Sequence, residues 1–479
     1  MLNRIEEILK DFRGCFTRRD AYKWFVILVI GIMIRTDKLG VTSVVRDLAL
    51  RAESYECMIR FFRASSWYLP ELWTMWRKAV YRHAPLYRYL DRVVIVGDGV
   101  MQAKEGVRMP GVKRFKQSSE TQSKAERIHG HLWGCVGILI GKEENPACLP
   151  LHLSLHDGLR ETADWEESEE TGETHIERLV YDGCKCSITF GPIWLLLDRL
   201  YPSVKALCIL KAWNAGHPKN RVDMVSRLKR NAVAWTEAPE PVPGQRGRHR
   251  KKGDKIRLWN LFETQKASFK KEYVRIRGKK TAVEYYTVDL LWGKGLYEKL
   301  RFVFVCDGDG QMLLFSTNLS LSPVDIICLY YHRPRVECAF RQMKQDTGAF
   351  NYHFWSKAMP VLNRFRKKTD PAPLANVTSP KEREQIMKTV RATELYVLIS
   401  SVAIGILQIL SIEFDTLSLR AQLRYQRTPA GTRISESNVM SYLRRHIFAF
   451  MESHAENTIT QLIRSAQERT ESGKHSNVA

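Results

Sequence analysis

The sequence predicts an α/β chain with helical regions at both ends and a strand-rich middle. Three observations predict it. Residues 1–90 carry apolar side chains at helical spacing. From Arg92 onward short β-branched runs alternate with turn residues. From Ser379 onward helical spacing returns. At 479 residues, 44% apolar and 27% charged, the chain can bury a large core and holds more than one domain.

In residues 1–90, Ser43 is expected to cap a helix through Val44, Val45 and Leu48. Ser54 is expected to cap another through Cys57, Met58, Phe61 and Phe62, with Arg60 and Arg63 on its polar side. Two short capped helices resemble a DNA-reading pair, and any small bundle resembles one too. Val93–Val96 is a strand that runs into Gly97-Asp98-Gly99. Further strands are expected at 131–141 and 149–155. The run 160–174 is densely acidic and reads as a solvated loop. Residues 175–200 read as an interrupted helix, 206–210 (ALCIL) as a strand, and 223–235 as another.

Residues 237–253 are Pro/Gly-rich and then basic. Arg246, Arg248, Arg250, Lys251 and Lys252 suit phosphate contact or plain solvation. Strands follow at 273–276, 282–291, 301–305 and 312–317, with a hairpin turn at Asp307–Gly310. Ser322-Pro323 opens a helix by cap and proline, and Pro334 starts a new one. Ser379-Pro380 repeats that opening, and the tail beyond Ser465 is polar. The expected division is 1–90, helical and DNA-binding; 91–235 and 321–378, the core; 236–320, a β-rich insertion; and 379–479, helical.

Lys and Arg number 75 against 52 Asp and Glu, a net charge of +23. Such an excess points to a polyanion, foremost nucleic acid, and only secondarily to an acidic membrane. Ten scattered cysteines with no CxxC pair argue against zinc and for reduced cytosolic thiols. Leu395–Ile412 is uncharged over 18 residues, the lower limit for a membrane span, and reads as a buried helix.

Chemistry concentrates in Tyr330–Lys344, YYHRPRVECAFRQMK. On a helix from Pro334, Glu337, Arg341 and Lys344 share one face, and Val336, Phe340 and Met343 share another for the core. An acid among aromatic and basic side chains suits a site that holds a cation and a phosphodiester together. Taken alone, Asp98 also fits a turn, and Glu337 an ion pair with Arg333 or Arg341.

Tyr330, Arg333, Glu337 and Lys344 match the Y-x2-R-x3-E-x6-K pattern, and VVIVGDG around Asp98 matches a first catalytic Asp. With Arg227–Trp235, Leu313–Pro323 and Tyr352–Pro360, the chain resembles DDE transposases of bacterial insertion sequences over roughly residues 20–415. The resemblance implies an RNase H-like core interrupted by the β-rich insertion. It implies Mg2+ (or Mn2+) held by Asp98 and Glu337, and a DNA end held by Tyr330, Arg333 and Lys344. It further implies nicking, excision and strand transfer on double-stranded DNA, at terminal inverted repeats and target DNA, by a homodimer in the cytoplasm at the nucleoid.

One family position fails to match. A second Asp belongs at the end of the strand before the insertion, and aligning that strand to 206–210 puts Lys211 there. An ammonium group repels Mg2+. Asp223 and Asp182 offer no attractive replacement, and Asn214 is a poor ligand. On this reading catalysis is impaired, and Lys211→Asp restores it. The rival readings are an inactive DNA-binding descendant and a nuclease without transposition. Some relatives place a base-stacking Trp in the insertion. The comparable strand here offers Met312–Phe315, and Trp259 and Trp292 read as packing aromatics.

Overall fold

The computed structural model describes residues 1–38, 40–116, 127–156, 174–240, 249–276, 278–308, 310–363, 365, 373–414, 419 and 433–467. Most of the acidic run 160–174, Arg246 and Arg248 of the basic loop, and the tail from residue 468 lie outside these.

Five helices open the chain: α1 (Leu2–Lys10), α2 (Arg19–Ile34), α3 (Thr42–Asp47), α4 (Ser54–Phe62) and α5 (Leu69–His83). Neither expected serine caps. Ser43 lies inside α3 and Ser54 is the first residue of α4, both with buried side chains, so neither can reach the free N–H groups of its first turn. The strands β1 (Arg88–Tyr89), β2 (Arg92–Ala103), β3 (Lys113–Lys116), β4 (Arg127–Ile140) and β5 (Ala147–Leu155) follow. Then come α6 (His175–Phe190), β6 (Ile193–Leu197), α7 (Val204–Gly216), β7 (Val222–Arg227), β8 (Val233–Trp235) and β9 (Lys255–Arg257). After α8 (Leu261–Thr264) the insertion continues as β10 (Lys270–Ile276), β11 (Lys279–Trp292), β12 (Glu298–Asp307) and β13 (Gly310–Ser316). Helices α9 (Pro323–Tyr330), α10 (Arg335–Gln345), α11 (Pro380–Glu413), α12 (Glu436–Ser453) and α13 (Thr458–Gln467) complete the described chain.

One mixed sheet organises these elements. Its central order is β5-β4-β2-β6-β7; the first three strands are antiparallel, and β2, β6 and β7 are parallel. The insertion extends the same sheet, because β13 pairs with β7 and leads to β12 and β11.

The register between residues 190 and 235 differs from the expectation. Residues 206–210 are helical, within α7, and not a strand. Ser203 caps that helix by accepting from the Ala206 N–H, and Ala206, Leu207, Leu210 and Trp213 form its buried stripe. The strand is β6, Ile193–Leu197, with all five residues buried. Gly191, at φ 76°, breaks α6 just before it. The single strand expected at 223–235 is two, β7 and β8.

Two expected helix starts hold in detail. Ser322 accepts from the Asp325 N–H with Pro323 in the first turn, and Pro334 stands at the N-cap of α10. On α10, Val336, Phe340 and Met343 are buried as the spacing requires. Helix α11 is long and apolar enough to cross a membrane, but 94% of its apolar window is buried inside the protein. Its Gln408 amide donates to Cys148 O and to Gln342 Oε1. The hydrophobic core is continuous from Leu2 to Ala466, so the N-terminal helices share one core with the sheet. Helix α2 is buried on every face from Phe25 to Ile34 and exposed only in its first turns.

Candidate active site: three carboxylates around one arginine

Strand β2 carries Asp98 between two glycines. Its parallel pairing with β6 runs Val93 with Ile193 through Val96 with Leu196. Continued by two residues, that register sets Asp98 beside Asp198, the residue that follows β6. A Cβ at Gly97 would lie 2.7 Å from Leu197, so only glycine lets the strand pack there. The second acid at the sheet is thus Asp198. Lys211 is one helix further on, with a 63% exposed side chain paired to Glu298 at 2.8 Å. The placement of Lys211 in the Asp slot is therefore corrected: it followed from reading a helix as a strand.

Helix α10 brings the third acid. Arg333, just before it, has an 8% exposed side chain that sits among the three. Its Nη2 is 2.5 Å from Asp98 Oδ2 and 4.0 Å from Asp198 Oδ2, and its Nη1 is 2.8 Å from Glu337 Oε1. Asp98 Oδ1 accepts from the Gly99 N–H at 2.8 Å and from the Tyr201 hydroxyl at 3.4 Å. Burial pushes the Asp98 carboxyl above its ordinary range, and Arg333 opposes it without cancelling it. Burial also pushes the Tyr330 hydroxyl up, with Asp198 adding to the shift and Arg333 and Arg227 opposing it. One guanidinium thus serves three carboxylates, an excess of negative charge that favours a further cation.

Part of this cluster lines a cavity of about 1060 Å³, with Asp98 set behind Arg333 and outside the lining. Tyr330 and Arg333 line it with Glu337 and Asp198, and so do Arg199, Arg227, Lys229 and Arg230. The lining thus combines two acids with five cations, a mixture that suits a phosphodiester held near the acids. Trp259 and Met312 also line the cavity, with the Arg230 guanidinium 4.9 Å from the Trp259 ring centroid. Trp259 packs on Phe262 as well as lining the cavity, and Trp292 stacks on Phe315 in the sheet. Lys344 is exposed on the Glu337 face of α10, seven residues on, and does not line the cavity.

The remaining acids lie elsewhere. Asp223 is fully buried at the start of β7, held by Arg92 at 2.6 Å, Arg221 at 3.1 Å and Asn318 at 3.0 Å. Asn214 exchanges two hydrogen bonds with the Val222 backbone. As arranged, with Arg333 between them, no three acids, histidines or cysteines among the described residues are grouped to hold a metal ion. Arg250 and Lys251 are exposed, and Lys252 lies against the Trp235 and Tyr297 rings.

Asp198, Arg227, Lys229 and Arg230 escaped the sequence reading. Asp198 had a findable signal, Gly191-Pro192 followed by five apolar residues and an acid. A scan against protein-family models matches none, and a search of curated proteins finds none similar to this chain.

Proposed function

We propose that this chain is a metal-dependent DNA-cleaving and strand-transferring enzyme of the DDE transposase type, with Asp98, Asp198 and Glu337 as its acids. The observation that carries the reading is the convergence of these three residues on Arg333 from two adjacent parallel strands and one helix. The strand order β5-β4-β2-β6-β7 supports an RNase H-like core, since that core has three antiparallel strands followed by two parallel ones. The insertion enters after β7 and returns to α9, as the resemblance implies.

The donor set fits the implied metal. Mg2+ and Mn2+ take hard oxygen ligands, and three carboxylates supply them with charge to spare. Two such ions would activate a water and stabilise the leaving oxygen. The chain's own residues do the rest. Asp98 is fixed by Gly99 and Tyr201 at Oδ1, with Oδ2 against Arg333. Glu337, 61% exposed and paired to Arg333, can swing toward the sheet once that guanidinium turns away. Arg333 serves as an internal counter-ion that keeps three acids together, and it can turn to a DNA phosphate when they take another cation. Arg227, Lys229 and Arg230 hold the backbone, and the Trp259 face receives a displaced base. The case for an inactive descendant rested on Lys211 and falls with it. Terminal repeats, target DNA and a homodimer remain the partners the resemblance implies.

The test is end nicking on DNA carrying the terminal repeats that flank the gene, with Mg2+ or Mn2+. Asp98→Asn, Asp198→Asn and Glu337→Gln each abolish cleavage and leave DNA binding intact. Cleavage that survives all three substitutions would refute the reading.

A further inference from the structure

From Asp98 a row of polar side chains runs into the protein. The Tyr201 hydroxyl donates to Asp98 Oδ1 at 3.4 Å, and His175 Nε2 lies 3.1 Å from that hydroxyl. His175 Nδ1 faces His156 Nδ1 at 2.6 Å. His156 Nε2 in turn lies 3.6 Å from Asp182 Oδ2. Five separate places supply these groups: β2, the turn after β6, the first residue of α6, the end of β5 and the middle of α6. Tyr201, His156 and Asp182 are all buried. Two glycines make the space. A Cβ at Gly99 would stand 2.8 Å from His175 Nε2, and one at Gly134 would stand 1.9 Å from the His156 ring.

Counting protons shows how the row is joined. Four links separate Asp98 from Asp182, and each needs one proton. A hydroxyl and two neutral imidazoles carry three. The two inner links are the short ones, and the two that end on carboxylates are the long ones. With Tyr201 donating to Asp98, His175 Nε2–H donates to Tyr201 and His156 Nδ1–H donates to His175. That leaves no proton for the gap from His156 Nε2 to Asp182 Oδ2, so the hydrogen-bonded row ends at His156. Three further groups bear on this end. His152 Nε2 and Lys185 Nζ each stand 3.6 Å from the Asp182 carboxylate, and Arg178 donates to Leu155 O nearby.

We propose that Tyr201, His175 and His156 are positioning residues for Asp98, a row that holds Oδ1 on the Tyr201 side and so leaves Oδ2, paired here with Arg333, to meet a metal ion. The proposal rests on the reading of Asp98 as a metal ligand. Such a row does for a carboxylate what outer partners do for metal-bound histidine: it fixes orientation before the ion arrives. It also explains why buried histidines and a buried acid are gathered behind the cluster, where apolar packing would otherwise serve.

Mn2+ binding to the full chain tests this, read by the loss of the free-ion electron paramagnetic resonance signal, with thermal melting recorded alongside. Tyr201→Phe removes one hydroxyl and should weaken Mn2+ affinity about 10- to 100-fold. His175→Gln keeps an N–H toward Tyr201 and should stay within about threefold of the unsubstituted chain, whereas His175→Leu should match Tyr201→Phe, as expected of loss of a partner that orients a ligand. A row with a merely structural role would lower the melting temperature and leave the Mn2+ affinity of the folded protein unchanged, and that result overturns the proposal. An unsubstituted chain that binds no Mn2+ overturns the carboxylate reading beneath it, so the two failures are distinguishable.

Discussion

Asp198→Asn removes one negative charge from the cluster and keeps its shape. Arg333 marks where positive charge sits in this site, and Asp198 Oδ2 is 4.0 Å from it. A unit charge pair at about 4 Å is worth about 4 kcal/mol at an effective dielectric constant near 20. Asp198 is 27% exposed, so solvent screening trims that only in part. At about 1.4 kcal/mol per tenfold change, Asp198→Asn should slow end cleavage by about two to three orders of magnitude. DNA affinity should hold or rise slightly, because an acid has been removed from the cavity proposed to receive phosphates. Lys211→Ala is the paired control and should cleave as the unsubstituted chain does, since its side chain meets only Glu298 and solvent. Single-turnover nicking at saturating DNA and Mn2+ measures both. Asp198→Asn cleaving within tenfold of the unsubstituted chain, or Lys211→Ala losing as much as Asp198→Asn, would refute the reasoning.

Three further outcomes follow from packing and charge. Asp223→Ala leaves Arg92 and Arg221 around a buried vacancy and should destabilise by about 3 kcal/mol in urea unfolding, as loss of one partner of a buried pair does; Mn2+ affinity should not change, and a change would put Asp223 in the metal site. Gly405→Ala on α11 sets a Cβ 2.4 Å from the Trp76 ring and should cost about 1–3 kcal/mol, a loss that urea melting would fail to show if the helices could part freely. His131 accepts from the Tyr352 hydroxyl and donates to Pro110 O, a set that suits the neutral ring. Burial pushes it down to about 3 from an ordinary 6.5. Its contribution to stability is therefore present above pH 6.5 and is lost as pH falls toward 3. Nitrogen-15 shifts at pH 5 should show a neutral imidazole, and an imidazolium there would contradict the assignment.

Much of the architecture was legible because its signals are local. The β-branched run before Asp98, the serine-proline openings of α9 and α11, and the two faces of α10 each need only a few neighbouring residues. The length and polarity of the α11 segment likewise fitted a buried helix. What failed was the choice between two short apolar runs. IWLLL and ALCIL are equally apolar, and periodicity over five residues does not separate strand from helix. The deciding signals lay at the ends: Gly191-Pro192 closes a helix before the first run, and Ser203 caps a helix before the second. That single exchange hid Asp198 and made Lys211 look like a lost ligand. The cations Arg227, Lys229 and Arg230 were hidden for another reason. They lie at and just beyond the end of β7 but reach the acids only through the pairing of β7 with β6, which no local pattern records.

The most direct test of the central claim is Mn2+ anomalous diffraction from crystals of this chain bound to a cleavable DNA end. The account predicts density between Asp98, Asp198 and Glu337, with the Arg333 guanidinium turned to a phosphate and Lys211 remote from it. Density that avoids these three carboxylates, or none at saturating Mn2+, would contradict it.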